Sequence, residues 1–271
     1  MTSTLQPLTS PAGQAALAQV RLIATDMDGT LTESGQFTAP LLTMLKRLQA
    51  ANVPVVITTG RSTGWVSAVI HYLPVVGAMA ENGGVYLSKD NPHPHLMAPG
   101  LDVAAHRQTL KAQFDRLRQT YPNLQEAPDN RFRLTDWTYD VAGLTDADLS
   151  WMEDSCQANG FSFTYSTVQC HIKPGPQDKA NGLKRTIAAH FPHLSAHQVL
   201  TVGDSPNDES LFNADLFPTS AGVANVRHYL GQLAHHPAFV TQANEIEGFC
   251  EISHLLLTHQ SAGKPVEAAR L

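Results

Sequence analysis

Between residues 20 and 80 the chain switches hydrophobic period again and again, and this alternation constrains the fold more than any other feature of its 271 residues. "VRLIAT" (20–25), "VPVVITTG" (53–60) and "VVGAMA" (75–80) are short continuous apolar runs, the form of strands buried on both faces. "TAPLLTMLKRLQAAN" (38–52) places Leu41, Leu42, Leu45 and Leu48 at helical spacing, with Thr38 at the cap and Pro40 in the first turn. "STGWVSAVIHYL" (62–73) is a second helix. Strand, helix, strand, helix, strand is the signature of a parallel sheet wrapped by helices.

The pattern breaks after "AENGGVY" (80–86). "SKDNPHPHLMAPG" (88–100) has the composition of a stiff linker; His93 and His95 stand at metal-ligand spacing, but the flanking prolines favour a linker. A helix follows at about 102–121, with Leu110, Phe114 and Leu117 on one face. "RFRLTDWTYDVAG" reads as one or two strands, "TDADLSWMEDSCQANG" as a helix capped by Thr145, and "FSFTYS" with "VQCHIKP" as a hairpin. The first pattern then returns: "QDKANGLKRTIAAHF" is a helix, "HQVLTVGD" a strand, "SPNDESLFNAD" an acidic loop with a short helix, and "EIEGFCEISHLLL" a closing helix. The expected fold is α/β: a Rossmann-like parallel sheet core with helices on both faces, interrupted by an inserted α+β module. The expected boundaries are a flexible tail over 1–19, core over 20–86 and 172–260, inserted module over 87–171, and a C-terminal tail over 261–271.

Hydrophobic residues make up 42% and charged residues 15%, enough apolar material for a substantial core. The net charge of −6, without a Lys/Arg run, speaks against nucleic acid. No apolar stretch approaches membrane-span length, and "MTSTLQPLTSPAGQAALAQV" has no basic n-region, so no membrane and no signal peptide are expected. Cys156, Cys170 and Cys250 are scattered, which points to a reducing, cytoplasmic setting.

Chemistry gathers where strands end. "DMDGT" brings Asp26 and Asp28, "TTGR" Thr59, "QDKANG" Lys179, and "VGDSPNDES" Asp204 and Asp208. In open parallel sheets ligands bind outside the carboxyl ends of the strands, so one crevice can collect all of them. Several carboxylates around one lysine are a poor buried mixture without a cation. Hard oxygen ligands without Cys or His call for Mg2+. A divalent ion, a lysine and a hydroxyl donor suit phosphoryl transfer, where positioning and charge neutralisation carry most of the catalysis.

"DMDGTLTE", "VVITTGR", "DKANGLKR" and "TVGDSPNDESLF", in this order, resemble the four motifs of the haloacid-dehalogenase-like (HAD) hydrolase superfamily. The inserted module resembles, by position and size, the large α+β (type IIB) cap of its sugar-phosphatase branch, and "AENGGVY" the Asn-Gly turn of that branch. The resemblance implies that Asp26 is the nucleophile that forms an aspartyl phosphate and that Asp28 is the general acid and base. It implies that Thr59 bonds the phosphoryl oxygens and Lys179 neutralises charge. It implies magnesium held by Asp26, Asp204 and the backbone carbonyl of Asp28, with Asp208 as an indirect or water-mediated ligand and Asn207 nearby. Gly60, Arg61 and Asn82 are expected at the substrate, with Arg61 equally able to pair with an acid instead. Arg131 with Arg133, and Gln169 with His171, are each two apart on an expected strand and hence on one face, and either pair can line the pocket or stand in solvent. Trp137 can either pack or face substrate. The expected activity is magnesium-dependent hydrolysis of a small sugar phosphate or related phosphomonoester, by a monomer or small homo-oligomer. The alternatives are a sugar phosphomutase and a non-catalytic sugar-phosphate-binding module.

Overall fold

The computed structural model describes residues 5–91, 93–166 and 168–262. The first half of the core runs β1 (Gln6–Pro7), α1 (Pro11–Gln19), β2 (Leu22–Thr25), α2 (Ala39–Ala50), β3 (Val55–Thr58), α3 (Thr63–Tyr72), β4 (Gly77–Ala80), β5 (Val85–Ser88) and β6 (His95–Leu96). The module follows with α4 (Val103–Thr120), β7 (Trp137–Asp140), α5 (Asp146–Ala158), β8 (Phe161–Tyr165) and β9 (Gln169–Pro174). The core resumes with α6 (Lys179–His190), β10 (Val199–Gly203), β11 (Ser220–Gly222), β12 (Phe239–Val240) and α7 (Glu245–Ala262).

Among the described residues nine core strands form one sheet in the order β1-β12-β11-β10-β2-β3-β4-β5-β6. It is parallel from β1 to β4, and β5 and β6 add antiparallel. Alternation along the central strands divides two apolar layers. Ile23, Val55 and Ile57 pack with Leu41, Leu45 and Leu48 of α2 and Phe249, Ile252 and Leu256 of α7. Leu22, Ala24 and Val56 face the other way, against Leu183 and Ile187 of α6. After β2 the chain builds outward to one side, and after β10 to the other. The crevice between those two strand ends is therefore the topological switch point, where such sheets bind ligands.

The module is a separate three-stranded antiparallel sheet, β7-β9-β8, backed by α4 and α5. Leu110, Phe114 and Leu117 face Met152, Cys156 and Ile172 in its own core. Trp137 belongs to this core, with the Arg107 guanidinium 4.5 Å above its ring, so it packs and does not face a substrate.

Three expectations change. The stretch over 1–19 is not a loose tail where it is described. Gln6–Pro7 pairs with β12, Ser10 caps α1 through the Gly13 N–H, and Leu8 and Leu17 are fully buried. The chain also stays with the core past residue 87: β5 and β6 hydrogen-bond to β4 and to each other, and Met97 is buried beneath them. The crossing to the module lies near 98–102, and the return lies at the end of β9, not at 171. Finally, Arg131 and Arg133 do not share a strand. Residues Pro128–Phe132 form a 3-10 turn, because the Asn130 amide takes the place of a strand partner: Nδ2 donates to Thr138 O at 2.7 Å and Oδ1 accepts from Thr138 N at 3.0 Å.

Candidate active site

Asp26 follows β2 directly, and its N–H donates to Val202 O at 2.8 Å, which ties it to the neighbouring end of β10. Its carboxylate is buried. Oδ1 accepts from Lys179 Nζ at 2.5 Å, while Oδ2 has no hydrogen-bond partner among the described residues. Lys179 is the first residue of α6, whose N-terminus is capped by Asp178. The ammonium also donates to Asp208 Oδ1 at 2.6 Å. Asp208 Oδ2 accepts the N–H groups of Asp204 and Ser205 at 2.9 and 3.2 Å, so both its oxygens are committed to positioning others. Asp204, one residue beyond β10, accepts from Thr30 Oγ1 at 3.1 Å and Asn225 Nδ2 at 2.9 Å. Gly29 lies against it with φ of 84°; a Cβ there would come within 2.6 Å of Asp204 Oδ2, so the turn must be glycine on both counts.

Three buried carboxylates thus share one buried ammonium. Burial, together with the charges of Asp208 and Asp28, pushes Asp26 up to about 8 despite the pull of Lys179. Burial and the other two carboxylates raise Asp204 well above the usual range as well. Burial alone would lower Lys179, but Asp208 and Asp26 outweigh it and hold the lysine charged. The set is short of positive charge. One oxygen each from Asp26, Asp204 and Asp208 lies within 4.8 Å of the others, and the orphaned Asp26 Oδ2 is among the atoms available. An all-oxygen, negatively charged, buried donor set fits a hard divalent cation such as magnesium.

At the mouth, Arg61 forms a two-pronged pair with Asp28, Nε to Oδ2 at 3.0 Å and Nη2 to Oδ1 at 2.7 Å, and its guanidinium lies over Trp65. Thr59 Oγ1 accepts from Arg61 N at 3.1 Å. Asn82 has a left-handed backbone with φ of 51°; its Oδ1 accepts from Asn207 and its Nδ2 is buried without a partner among the described residues.

From the module, Arg133, Gln169 and His171 arrive together. Arg133 is buried and donates to Asp136 at 2.9 and 3.0 Å, to Asp129 at 3.0 Å, to Gln169 Oε1 at 2.9 Å and to Gly60 O at 2.9 Å. His171 Nδ1 lies 2.8 Å from Asp136 Oδ2. Arg131 is not part of this group: it is exposed and stacks on Phe132. A space of only about 10 Å³ is left among Asp26, Asp28, Thr59, Gly60, Arg61 and His171. Next to it, sharing Asn207, a cleft of about 350 Å³ opens between β8 and the core, lined by Thr164, Tyr165, Lys173 and Lys179.

Three residues in and around the site were not singled out by motif. Lys173 lies two positions beyond His171, so the strand alternation that joins Gln169 to His171 also points to it. It is buried, donates to Ser162 Oγ and Gln177 O at 2.8 Å each, and is pushed down to about 8 by burial. Glu81 joins core to module: its buried carboxylate accepts from Thr63 Oγ1 at 2.6 Å, Thr135 N at 2.6 Å and Thr135 Oγ1 at 2.8 Å, and from the Leu134 N–H. Asn225 binds both Asp204 and Gly29 O from the short 3-10 turn Ala224–His228, which carries no sequence pattern.

A family model described as haloacid dehalogenase-like hydrolase matches residues 23–116. A phosphoglycolate phosphatase of Methanothrix thermoacetophila is 26% identical over 240 residues, covering 86% of this chain and 95% of that protein. Among solved structures, Thermoplasma acidophilum protein 0175 superposes with a TM-score of 0.71 at 21% identity, over 88% of this chain and 99% of the other. The C-terminal domain of C. albicans trehalose-6-phosphate phosphatase does so at 0.69 and 16% identity, over 95% and 99%. Among the described residues no helix is long and apolar enough to cross a membrane.

Proposed function

We propose that the chain, which is similar to haloacid dehalogenase-like hydrolases and to phosphoglycolate phosphatases, hydrolyses a small sugar phosphate or related phosphomonoester, with magnesium, through an aspartyl phosphate on Asp26. The observation that carries this reading is the buried Asp26 carboxylate, oriented by Lys179 through Oδ1 and left with Oδ2 unpartnered.

In the first half-reaction Asp26 attacks phosphorus, the bond from phosphorus to the leaving oxygen breaks, and Asp28 gives that oxygen a proton. In the second, water attacks the aspartyl phosphate, Asp28 takes its proton, and phosphate leaves Asp26. Asp28 is held by Arg61 in the free protein, so Arg61 must exchange Asp28 for the incoming phosphoryl oxygens before Asp28 carries a proton. Lys179 offsets charge on Asp26, and Thr59 offers its hydroxyl to the phosphoryl group. Asp26, Asp204 and the backbone carbonyl of Asp28 would hold magnesium, with Asp208 behind them, and the ion would supply positive charge to the phosphoryl oxygens.

Two observations support a leaving group larger than glycolate. The cleft of about 350 Å³ is within the size range of small-molecule sites, and Thr164, Tyr165 and Asn207 give it hydroxyl and amide groups suited to a polyol. We further propose that the module, from about residue 98 to 174, is the lid that selects among such substrates. The test is hydrolysis of p-nitrophenyl phosphate with magnesium and with excess chelator, plus acid quenching with labelled substrate. Activity only with magnesium, and label trapped on wild type but not on Asp26→Asn, is the expected result; chelator-resistant activity or unlabelled protein overturns the mechanism.

A further inference from the structure

We propose that Asp136 fixes the tautomer of His171 so that Nε2 faces the crevice as a hydrogen-bond acceptor, and that this selects phosphomonoesters whose leaving group offers a hydroxyl there over those that offer a carboxylate. The inference rests on the phosphatase reading and names the element that would discriminate within it.

His171 sits in the middle strand of the module sheet, paired across to Thr138 and Thr164, so its backbone is fixed on both sides. Its Nδ1 meets Asp136 Oδ2 at 2.8 Å. Asp136 is completely buried, and both its oxygens accept from Arg133 Nη1. Burial favours the neutral acid, but Arg133 and His171 hold this carboxyl below the usual range, so Asp136 is an acceptor. An acceptor at Nδ1 requires the hydrogen on Nδ1, and a neutral ring then carries its lone pair on Nε2. Arg133 already offsets the Asp136 charge, which leaves less to hold an imidazolium, and burial favours the neutral ring further.

The Cε1–Nε2 edge of the ring faces Gly60. A Cβ on Gly60 would lie 2.9 Å from His171 Cε1 and 3.0 Å from Nε2, so the ring edge rests against the backbone that follows Thr59. Nε2 has no hydrogen-bond partner among the described residues, and the ring lines the same space as Asp26, Asp28 and Arg61. The cation lining that space, Arg61, is engaged by Asp28. A hydroxyl arriving there finds an acceptor. A carboxylate finds a lone pair, and burying it without a partner is costly.

Two measurements decide the matter. Long-range proton–nitrogen NMR of the full chain at neutral pH, with His171 assigned by its loss in His171→Gln, should show a neutral ring protonated at Nδ1. An imidazolium or an Nε2–H tautomer overturns the proposal. In kinetics, wild type should favour glycerol 3-phosphate over 2-phosphoglycolate in kcat/KM. His171→Phe should reduce that ratio roughly tenfold, the scale of one lost hydrogen bond. His171→Gln, which keeps an acceptor, should restore part of it, and His171→Lys should move the ratio toward 2-phosphoglycolate. A wild type that prefers 2-phosphoglycolate, or a ratio unmoved in His171→Phe, also overturns it. Failure of wild type to hydrolyse p-nitrophenyl phosphate would instead strike the phosphatase reading, and the NMR result would still decide the tautomer.

Discussion

At the scale of single residues, the site sets stability against chemistry. Asp26, Asp204 and Asp208 crowd around one lysine, and burial, reinforced by their mutual repulsion, raises Asp26 and Asp204. Asp26→Asn should therefore lower turnover by a factor on the order of 10³ or more. It should leave the melting temperature in chelator equal to or above wild type, because it removes one of the crowded charges; a marked loss of stability would show that the Asp26–Lys179 pair is a net stabiliser. Glu81 behaves oppositely. Its carboxylate collects N–H and O–H donors from Thr63, Leu134 and Thr135, so Glu81→Gln turns an amide N–H2 towards donors and should cost roughly 1–3 kcal/mol in denaturant unfolding. Asp26, Asp28, Lys179, Asp204 and Asp208 were legible because strand ends announce them. Glu81 was not: "ENGG" reads as a turn, and its partners lie 18 and 53–54 positions away, at a distance that only folding closes.

At the scale of elements, the longer periodic segments were legible and the short ones were not. α2, α3 and α6 declare themselves by apolar spacing and caps. β1 is two residues long and α1 has few large apolar side chains, so only tertiary contact reveals that Leu8 and Leu17 are buried. Deleting residues 1–19 should expose both and cost about 3–6 kcal/mol, read as an earlier urea midpoint. An unchanged midpoint would mean that the segment merely rests on the core. The Arg133 knot yields a pH prediction. Asp136 and Asp129 are held below the usual carboxylate range by Arg133 against the effect of burial. Their contribution is present above the unfolded value near 3.8 and is lost as pH falls through the lower folded value. Melting temperatures from pH 5 down to pH 2 should fall more steeply for wild type than for Asp136→Asn, which should already be about 3–5 kcal/mol weaker at pH 7 for leaving Arg133 short of a partner. Parallel slopes would place the acid sensitivity elsewhere.

At the scale of the whole molecule, the module presses closely on the core. The space over Asp26 and Asp28 is about 10 Å³, room for roughly one water, so on the proposed function a phosphomonoester would enter by a lifting of the module. Phe132 packs directly on Gly64 at the start of α3, where a Cβ would lie 2.8 Å from the Phe132 Cβ. Gly64→Phe should wedge the two apart, raise the radius of gyration in X-ray scattering and compress the differences in kcat/KM among substrates; unchanged scattering and selectivity would show that closure does not pass through this contact. The order of strands and helices foretold a parallel sheet with an insertion. It did not foretell where the chain leaves the core, because β5 and β6 continue the sheet through a segment whose prolines disguise it. Those outermost strands have a further effect. Among the described residues the nine-stranded sheet ends on Gln6–Pro7 at one side and His95–Leu96 at the other, each two residues long, and Pro7 has no N–H to offer. A neighbouring chain seeking an open ladder to extend finds almost no template at either rim, so a wide, strongly apolar sheet is guarded against growing from molecule to molecule into an aggregate.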